Sequence, residues 1–229
     1  MGLAFRLFAR PILALQDSEK AHYRALKYLR ILCSNPITRL PLRVLYKPKK
    51  KLSVNLFNQN YSHPFGLAAG MDKKAEALIG WETIGLGFIE IGGITQQEQE
   101  GNPKPRMFRS SSSKALINRM GFNNPGSEKM SITLEKHFQK YGKPGVPLWI
   151  NLGKSKITPL DQSHIDYSTT LERLWNYGDV FVINVSSPNT PNLRELQNDE
   201  SLAKIINTCQ DINNSLASKN NISAKPILV

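Results

Sequence analysis

"PLWINLGKSKITPLDQSHIDYSTTLERLWNYGDVFVINVSS", residues 147 to 187, sets two short apolar runs on either side of a stretch of helical length. The runs 147–152 and 180–186 are rich in β-branched and aromatic residues, and 163–177 between them suits an amphipathic helix. A strand, helix and strand in that order pack as a right-handed crossover with parallel strands. The second run ends in Ser186, Ser187 and Asn189, uncharged hydrogen-bonding groups placed where a buried parallel strand delivers its carboxyl end. In an α/β barrel that end faces the ligand.

The same alternation extends in both directions. Strands are expected at 65–69, 88–94 and 226–229, and helices at 73–84, 125–141 and 199–218. Alternation of this kind predicts the α/β class and a (β/α)8 TIM-type barrel, of which the first four to five units are present, with both sheet faces covered. After the second strand an insertion carries "PRMFR" and "KALINRM" around four serines, which predicts a β-hairpin.

The N-terminal part is different. The chain has a formal charge of +12, and residues 1–51 hold twelve Lys/Arg against two Asp/Glu, so the charge is concentrated there. "GLAFRLFARPILAL" mixes aliphatics with Arg6 and Arg10, and Pro11 is expected to break or kink a helix. A second helix starts at a cap of Asp17 or Ser18, with Ala21, Ala25, Tyr28, Leu29 and Leu32 as its apolar stripe and Lys20, Arg24, Lys27 and Arg30 on the other face. Such a helix pair docks on its own domain, lies in an anionic membrane surface, or binds nucleic acid. Nucleic acid is the weakest of the three, because the segment interleaves aliphatics rather than exposed aromatics. Docking on the chain's own domain is the plainer of the other two, "YKPKKK" reads as a linker, and the chain divides into residues 1–45 and a barrel domain of 46–229.

No run approaches the ~18 apolar residues of a membrane span. Cys33 and Cys209 form no C-x-x-C pair, which favours a reducing compartment. The four histidines sit at no metal-ligand spacing, so no metal site is expected. "GKS" at 153–155 imitates a phosphate loop, but Leu148 stands at the place of its first glycine. Ser187 lacks the G-x-S-x-G elbow of acyl-transfer enzymes.

Polar and small residues gather after each strand: Gly70, Asp72 and Lys73; Gly92, Gly93 and Thr95; Asn151, Gly153 and Lys154; Asn184, Ser187 and Asn189, with Asn118 from the hairpin. Carboxamides offer donors and acceptors together, as a flat heterocycle bearing C=O and N–H groups requires. Each asparagine alone is as well explained by local backbone bonding; their convergence on one end of a barrel is what points to a polar, planar ligand.

Six segments, "PFGLAAGMDKKAE", "GFIEIGGIT", "GNPKPRMFR", "ALINRMGFNNPG", "INLGKSK" and "INVSSPNTPNLRELQ", together resemble the N-terminal two thirds of the membrane-associated, quinone-dependent dihydroorotate dehydrogenases. The resemblance implies an FMN enzyme of pyrimidine synthesis that oxidises dihydroorotate to orotate and passes electrons to a membrane quinone. It implies Ser187 as the base for the C5 proton while hydride leaves C6 for the flavin. It implies substrate positions at Lys73, Asn118, Asn184 and Asn189 with the backbone of Met120, Gly121 and Phe122, and flavin positions at Ala69, Gly70, Gly93, Asn151 and Asn184. His22 and Arg106 match the quinone side, and the resemblance implies that residues 1–45 are the amphipathic segment through which that class reaches the membrane and its quinone. Gly93 stands where the family commonly has a threonine, which removes one flavin hydrogen bond, worth about 1 kcal/mol.

The resemblance reaches Val229 inside the expected fifth strand, so the chain reads as a fragment that grips FMN poorly by itself. A monomer, peripheral on the cytoplasmic face of a bacterial inner membrane rather than in a mitochondrion, is the expected setting. The alternatives are an FMN barrel of dihydropyrimidine type and a non-catalytic remnant.

Overall fold

A computed structural model describes residues 7, 8, 10–49, 52–187 and 192–229. Three helices open the chain: α1 (Arg10–Ala14), α2 (Ser18–Ser34) and α3 (Pro36–Tyr46). An antiparallel hairpin follows, β1 (Val54–Leu56) and β2 (Gln59–Tyr61), then α4 (Leu78–Thr83) and β3 (Ile89–Ile94). A second hairpin, β4 (Met107–Ser110) and β5 (Ala115–Asn118), leads to α5 (Gly126–Tyr141), β6 (Leu148–Leu152), α6 (Ser163–Leu174), β7 (Val180–Ile183), α7 (Asp199–Lys219) and β8 (Ile227–Leu228).

The main sheet runs β3-β6-β7-β8, every pair parallel, in the register Ile91↔Ile150 and Ile150↔Phe181. It is an open arc of the expected barrel. Its helix side carries Ile89, Ile91, Leu148, Ile150, Leu152, Phe181 and Ile183, all buried beneath α4 to α7. The expectation of two covered faces holds fully only on that side. On the lumen side Phe88, Trp149 and Val182 are half-buried, and Tyr61 and Phe57 from the first hairpin pack around Trp149 to close the bottom. The Phe88 and Trp149 rings stack at 4.5 Å there.

The expected strand 65–69 is reduced to one parallel bridge, Leu67↔Ile89, held by Leu67 N–H to Phe88 O and Glu90 N–H to Leu67 O, both 3.0 Å. Gly66 admits that close approach, since a Cβ there would lie 2.4 Å from the Phe88 ring. The expected helix 73–84 begins only at Leu78. Buried Asp72 accepts the amides of Glu76 and Ala77 and the Trp81 indole N–H, and Ala75 takes a positive φ of 54°, so the chain turns once before it can wind.

Pro11 does not break α1; it occupies the first turn, where its missing N–H costs nothing. Helix α3 was not expected, although Asn35 caps it through Ile37 N–H and Pro36 follows, the ordinary signal for a start. The α2 stripe is rotated from the expected one. Ala21, Leu26 and Cys33 are buried and Leu29 packs on Gly80 of α4, whereas Ala25, Tyr28 and Leu32 point to solvent.

Candidate active site

Two adjoining cavities open at the carboxyl end of the sheet. The first, about 290 Å³, is lined by His22, Tyr23 and Leu26 of α2, by Met107, Asn118 and Met120 of the second hairpin, and by Ala69, Gly70 and Lys73. The second, about 300 Å³, is lined by Ala69, Gly70 and Lys73 again, with Gly93, Phe122, Asn184, Ser186 and Ser187. Lys73 therefore stands at the junction of the two.

Its position has a clear local origin. Gly70, at φ 95°, donates its N–H to Gly92 O, and the Asp72 turn directs the next side chain inward. Lys73 Nζ donates to Asn123 Oδ1 at 2.8 Å, and Asn123 Nδ2 donates to the Tyr23 hydroxyl at 3.2 Å. Burial, reinforced by the Arg106 charge and opposed by Glu19, brings the Lys73 ammonium down to about 8. His22 also titrates below its ordinary range, again chiefly through burial.

Behind the second cavity runs a line of carboxamides whose polarity is set by one carboxylate. Glu90 of β3 accepts Asn151 Nδ2 at 2.8 Å and Ala69 N–H at 3.3 Å. A carboxylate only accepts, so Asn151 must turn its oxygen the other way, where it takes Asn184 Nδ2 at 3.3 Å. Asn184 Oδ1 is thereby left to accept the N–H and hydroxyl of Ser186, each at 3.1 Å. Three adjacent strands each supply one member. Glycines make room in front of them: a Cβ on Gly93 or Gly153 would lie 2.4 Å from the Phe122 ring.

Of the residues expected at a site, Ala69, Gly70, Lys73, Gly93, Phe122, Asn184 and Ser187 line the second cavity, and Asn118, Met120 and His22 the first. Asn151 is buried behind Asn184, and Gly121 is the hinge between Met120 and Phe122, where its φ of 72° and a contact with Asn102 exclude a side chain. Asn189 lies outside the described residues. Arg106 lines neither cavity. Its guanidinium is spent on Glu19 of α2 (Nη2 to Oε1 2.7 Å) and on the carbonyls of Glu100 and Asn102, so it straps α2 to the hairpin. Glu90, Asn123 and Tyr23 escaped the sequence reading; the only available hints were the asparagine repeat in "GFNN" and an acidic residue within an apolar strand.

The rejected phosphate-loop likeness has a structural explanation. Lys154 is buried and donates to the carbonyls of Ser155 and Thr158, while buried Asp166 accepts Gln96 N–H, Ser155 N–H and the Thr158 hydroxyl. The "GKS" segment thus staples the loops after β3 and β6 to α6.

A family model described as dihydroorotate dehydrogenase matches residues 51–229. The chain belongs to the dihydroorotate dehydrogenase family. It is 44% identical over 221 residues to a dihydroorotate dehydrogenase (quinone) of Gloeobacter violaceus, covering 96% of this chain and 59% of that one. A protein of the same name from Thermus thermophilus is 47% identical over 194 residues, covering 82% and 56%. Among solved structures, the dihydroorotate dehydrogenase of Eimeria tenella in complex with ferulenol superposes with a TM-score of 0.76 at 33% identity, covering 93% of this chain and 59% of that one. The chain thus spans less than two thirds of these family members. The open arc corresponds to part of the TIM-type barrel of the family.

Proposed function

We propose that the chain is the quinone-dependent kind of dihydroorotate dehydrogenase, using FMN to oxidise dihydroorotate to orotate. The observation that carries this reading is the convergence of Lys73, Asn184 and Ser187 on one cavity walled by Ala69, Gly70 and Gly93. The residues fit a flat cofactor: an added Cβ on Gly70 would meet nothing within 4 Å, and the side of the wall formed by Ala69, Gly70 and Gly93 carries no side chain larger than a methyl. When bound, FMN supplies the two-electron acceptor.

The chain's own groups do the rest. Lys73, mostly protonated at neutral pH, holds the substrate carboxylate. Asn118 and Asn184, with Asn189, meet the ring carbonyl and N–H groups, and the backbone of Met120, Gly121 and Phe122 borders them. Ser187 Oγ takes the C5 proton and passes its own onward to solvent. Ala69, Gly70, Gly93, Asn151 and Asn184 would hold the flavin, with Glu90 fixing the orientation of Asn151.

The α2 side, where His22 borders the first cavity, would be the side that receives the quinone. Arg106 acts there as a strut, while Arg109 lines a further cavity with Leu13 and Leu116 and donates to the carbonyls of Ala14 and Gln16. No helix among the described residues is long and apolar enough to cross a membrane. A quinone is carried in the lipid phase, so the proposed setting is peripheral, on the cytoplasmic face of a bacterial inner membrane, with residues 1–45 at the lipid surface.

The test is Ser187→Ala in the flavin-loaded protein. Loss of a positioned base lowers the rate of flavin bleaching by dihydroorotate by about 100-fold or more, with flavin absorbance retained. A rate equal to that of the wild type removes Ser187 from the chemistry.

A further inference from the structure

A third cavity, about 340 Å³, lies at the opposite end of the sheet, between α3 and the chain that enters β3. Its wall holds four cations, Arg39, Arg43, Lys47 and Lys49, against one carboxylate, Glu82. None of the four takes part in an ion pair with a described residue; those pairs use Glu19, Glu98 and Asp179. Arg39 and Arg43 of α3 and Lys47 at its C-cap recur every four residues, so the helix brings its two arginines and the cap lysine along one side. The rim is held down at Gly85, whose φ of 86° and absent side chain let Pro48 lie on it; a Cβ there would be 2.4 Å from Pro48 Cδ.

Helix α3 buries none of its residues. Ile37, Leu40, Val44 and Leu45 are 61–80% exposed, and Tyr28, Ile31 and Leu32 of the preceding helix α2 are exposed too. At 100° per residue Leu40, Val44 and Ile37 follow Arg43 around the helix at about 60°, 100° and 120°, so they adjoin the cationic side, whereas Leu45 lies across from it at about 160°. A helix lying in a bilayer interface has that arrangement, with apolar side chains among the acyl chains and cations at phosphate depth.

We propose that this cavity takes the phosphate of an anionic phospholipid, with α3 as the element that enters the interface. The site is at the amino ends of the strands, away from the cavities of Lys73 and Ser187. The inference rests on the membrane-peripheral reading above and adds to it a headgroup class and the residues that select it.

The experiment compares binding to phosphatidylcholine vesicles with and without phosphatidylglycerol, alongside dihydroorotate oxidation with a water-soluble electron acceptor. Phosphatidylglycerol tightens binding of the wild type at least tenfold. Arg39→Gln/Arg43→Gln loses about 25-fold on the phosphatidylglycerol vesicles, from about fivefold per basic residue at the surface. It keeps its weak affinity for phosphatidylcholine, its melting temperature and its oxidation rate. Lys27→Gln/Arg30→Gln, equal in charge but outside the cavity, loses less than fivefold, and Ile37→Ser/Leu40→Ser weakens binding to both vesicles. Should Arg39→Gln/Arg43→Gln not fold, Lys47→Gln alone serves, with about fivefold expected. Equal losses in the two charge-matched variants overturn the site in favour of diffuse attraction. Protection of the wild type by inorganic phosphate without any vesicle preference makes it a free-anion site and overturns the lipid assignment. Flavin-loaded wild-type protein that binds vesicles but does not oxidise dihydroorotate refutes the enzymatic reading instead, leaving the lipid site standing.

Discussion

The helix side of the sheet and the outer side of α2 and α3 are both built of aliphatic residues, yet the fold treats them differently. Ile89, Ile91, Leu148, Ile150 and Leu152 are wholly buried, each with neighbours from the flanking helices. Tyr28, Leu32, Leu40 and Val44 have no such neighbours and stay exposed. Scattered exposed apolar residues are normal, but this many on two helices that pack together are the feature on which the proposed lipid contact rests. Helix α2 contains the contrast within itself. Its Leu26 face closes the first cavity against α4, and its Tyr28 face does not take part in folding.

Thermodynamic dissection of α2 is the strongest way to break that contrast. Leu26→Ala lowers the free energy of unfolding by about 3 kcal/mol, in the usual range for a buried leucine. Tyr28→Ala stays within about 0.5 kcal/mol of wild type, as surface substitutions do. Denaturant titration decides, and equal losses would show that the two faces are not distinct. A smaller effect tests the inner side of the sheet. Glu90→Gln has only one acceptor for the two donors Ala69 N–H and Asn151 Nδ2, so Asn151 and Asn184 reverse their amides. The Michaelis constant for dihydroorotate rises about tenfold, roughly 1.4 kcal/mol, with the melting temperature little changed. A fall in melting temperature without change in the Michaelis constant would assign Glu90 to the scaffold alone.

The smallest effect concerns protons. The Lys73 ammonium, brought down to about 8, is the form that attracts a carboxylate, so orotate affinity is greatest below pH 8 and falls as the pH rises through that value. Orotate titrations at pH 7 and 8.7 differ by about fivefold, the change in the protonated fraction of a group titrating near 8. A flat profile across that window removes Lys73 as the carboxylate's partner. The linkage for folding has the opposite sense, because burial favours neutral Lys73 and that penalty relaxes as pH rises above 8.

Much of this architecture was legible in the chain. The boundaries of α5, β6, α6 and α7 fall within a few residues of the expected ones, because each carries an uninterrupted apolar period and a punctuating cap or turn. The hairpin of β4 and β5 followed from its two apolar runs around a serine turn. What failed were places where a tertiary partner overrides the local pattern. Asp72 delays α4 by capturing the amides of Glu76 and Ala77 just before it, and the expected first strand is reduced to the single bridge at Leu67, flanked by bonds from Gly87 N–H to Phe65 O and from Ala69 N–H to the Glu90 carboxylate. At the site, motifs brought Lys73, Asn118, Asn184 and Ser187 into consideration, but no periodicity could reveal Glu90 or Tyr23, whose relevance comes from what they touch.

Local chemistry, then, sufficed for the parallel α/β arrangement, the polar strand ends and the basic amino-terminal region, because periodicity and charge are properties of neighbours in the chain. Only the tertiary structure decided which stripe of α2 is core, that Arg106 is bound to Glu19, and how three asparagine and glutamate side chains from separate strands orient one another. Those outcomes depend on burial and on the matching of donors with acceptors across distances in sequence of dozens of residues, and no local pattern encodes them.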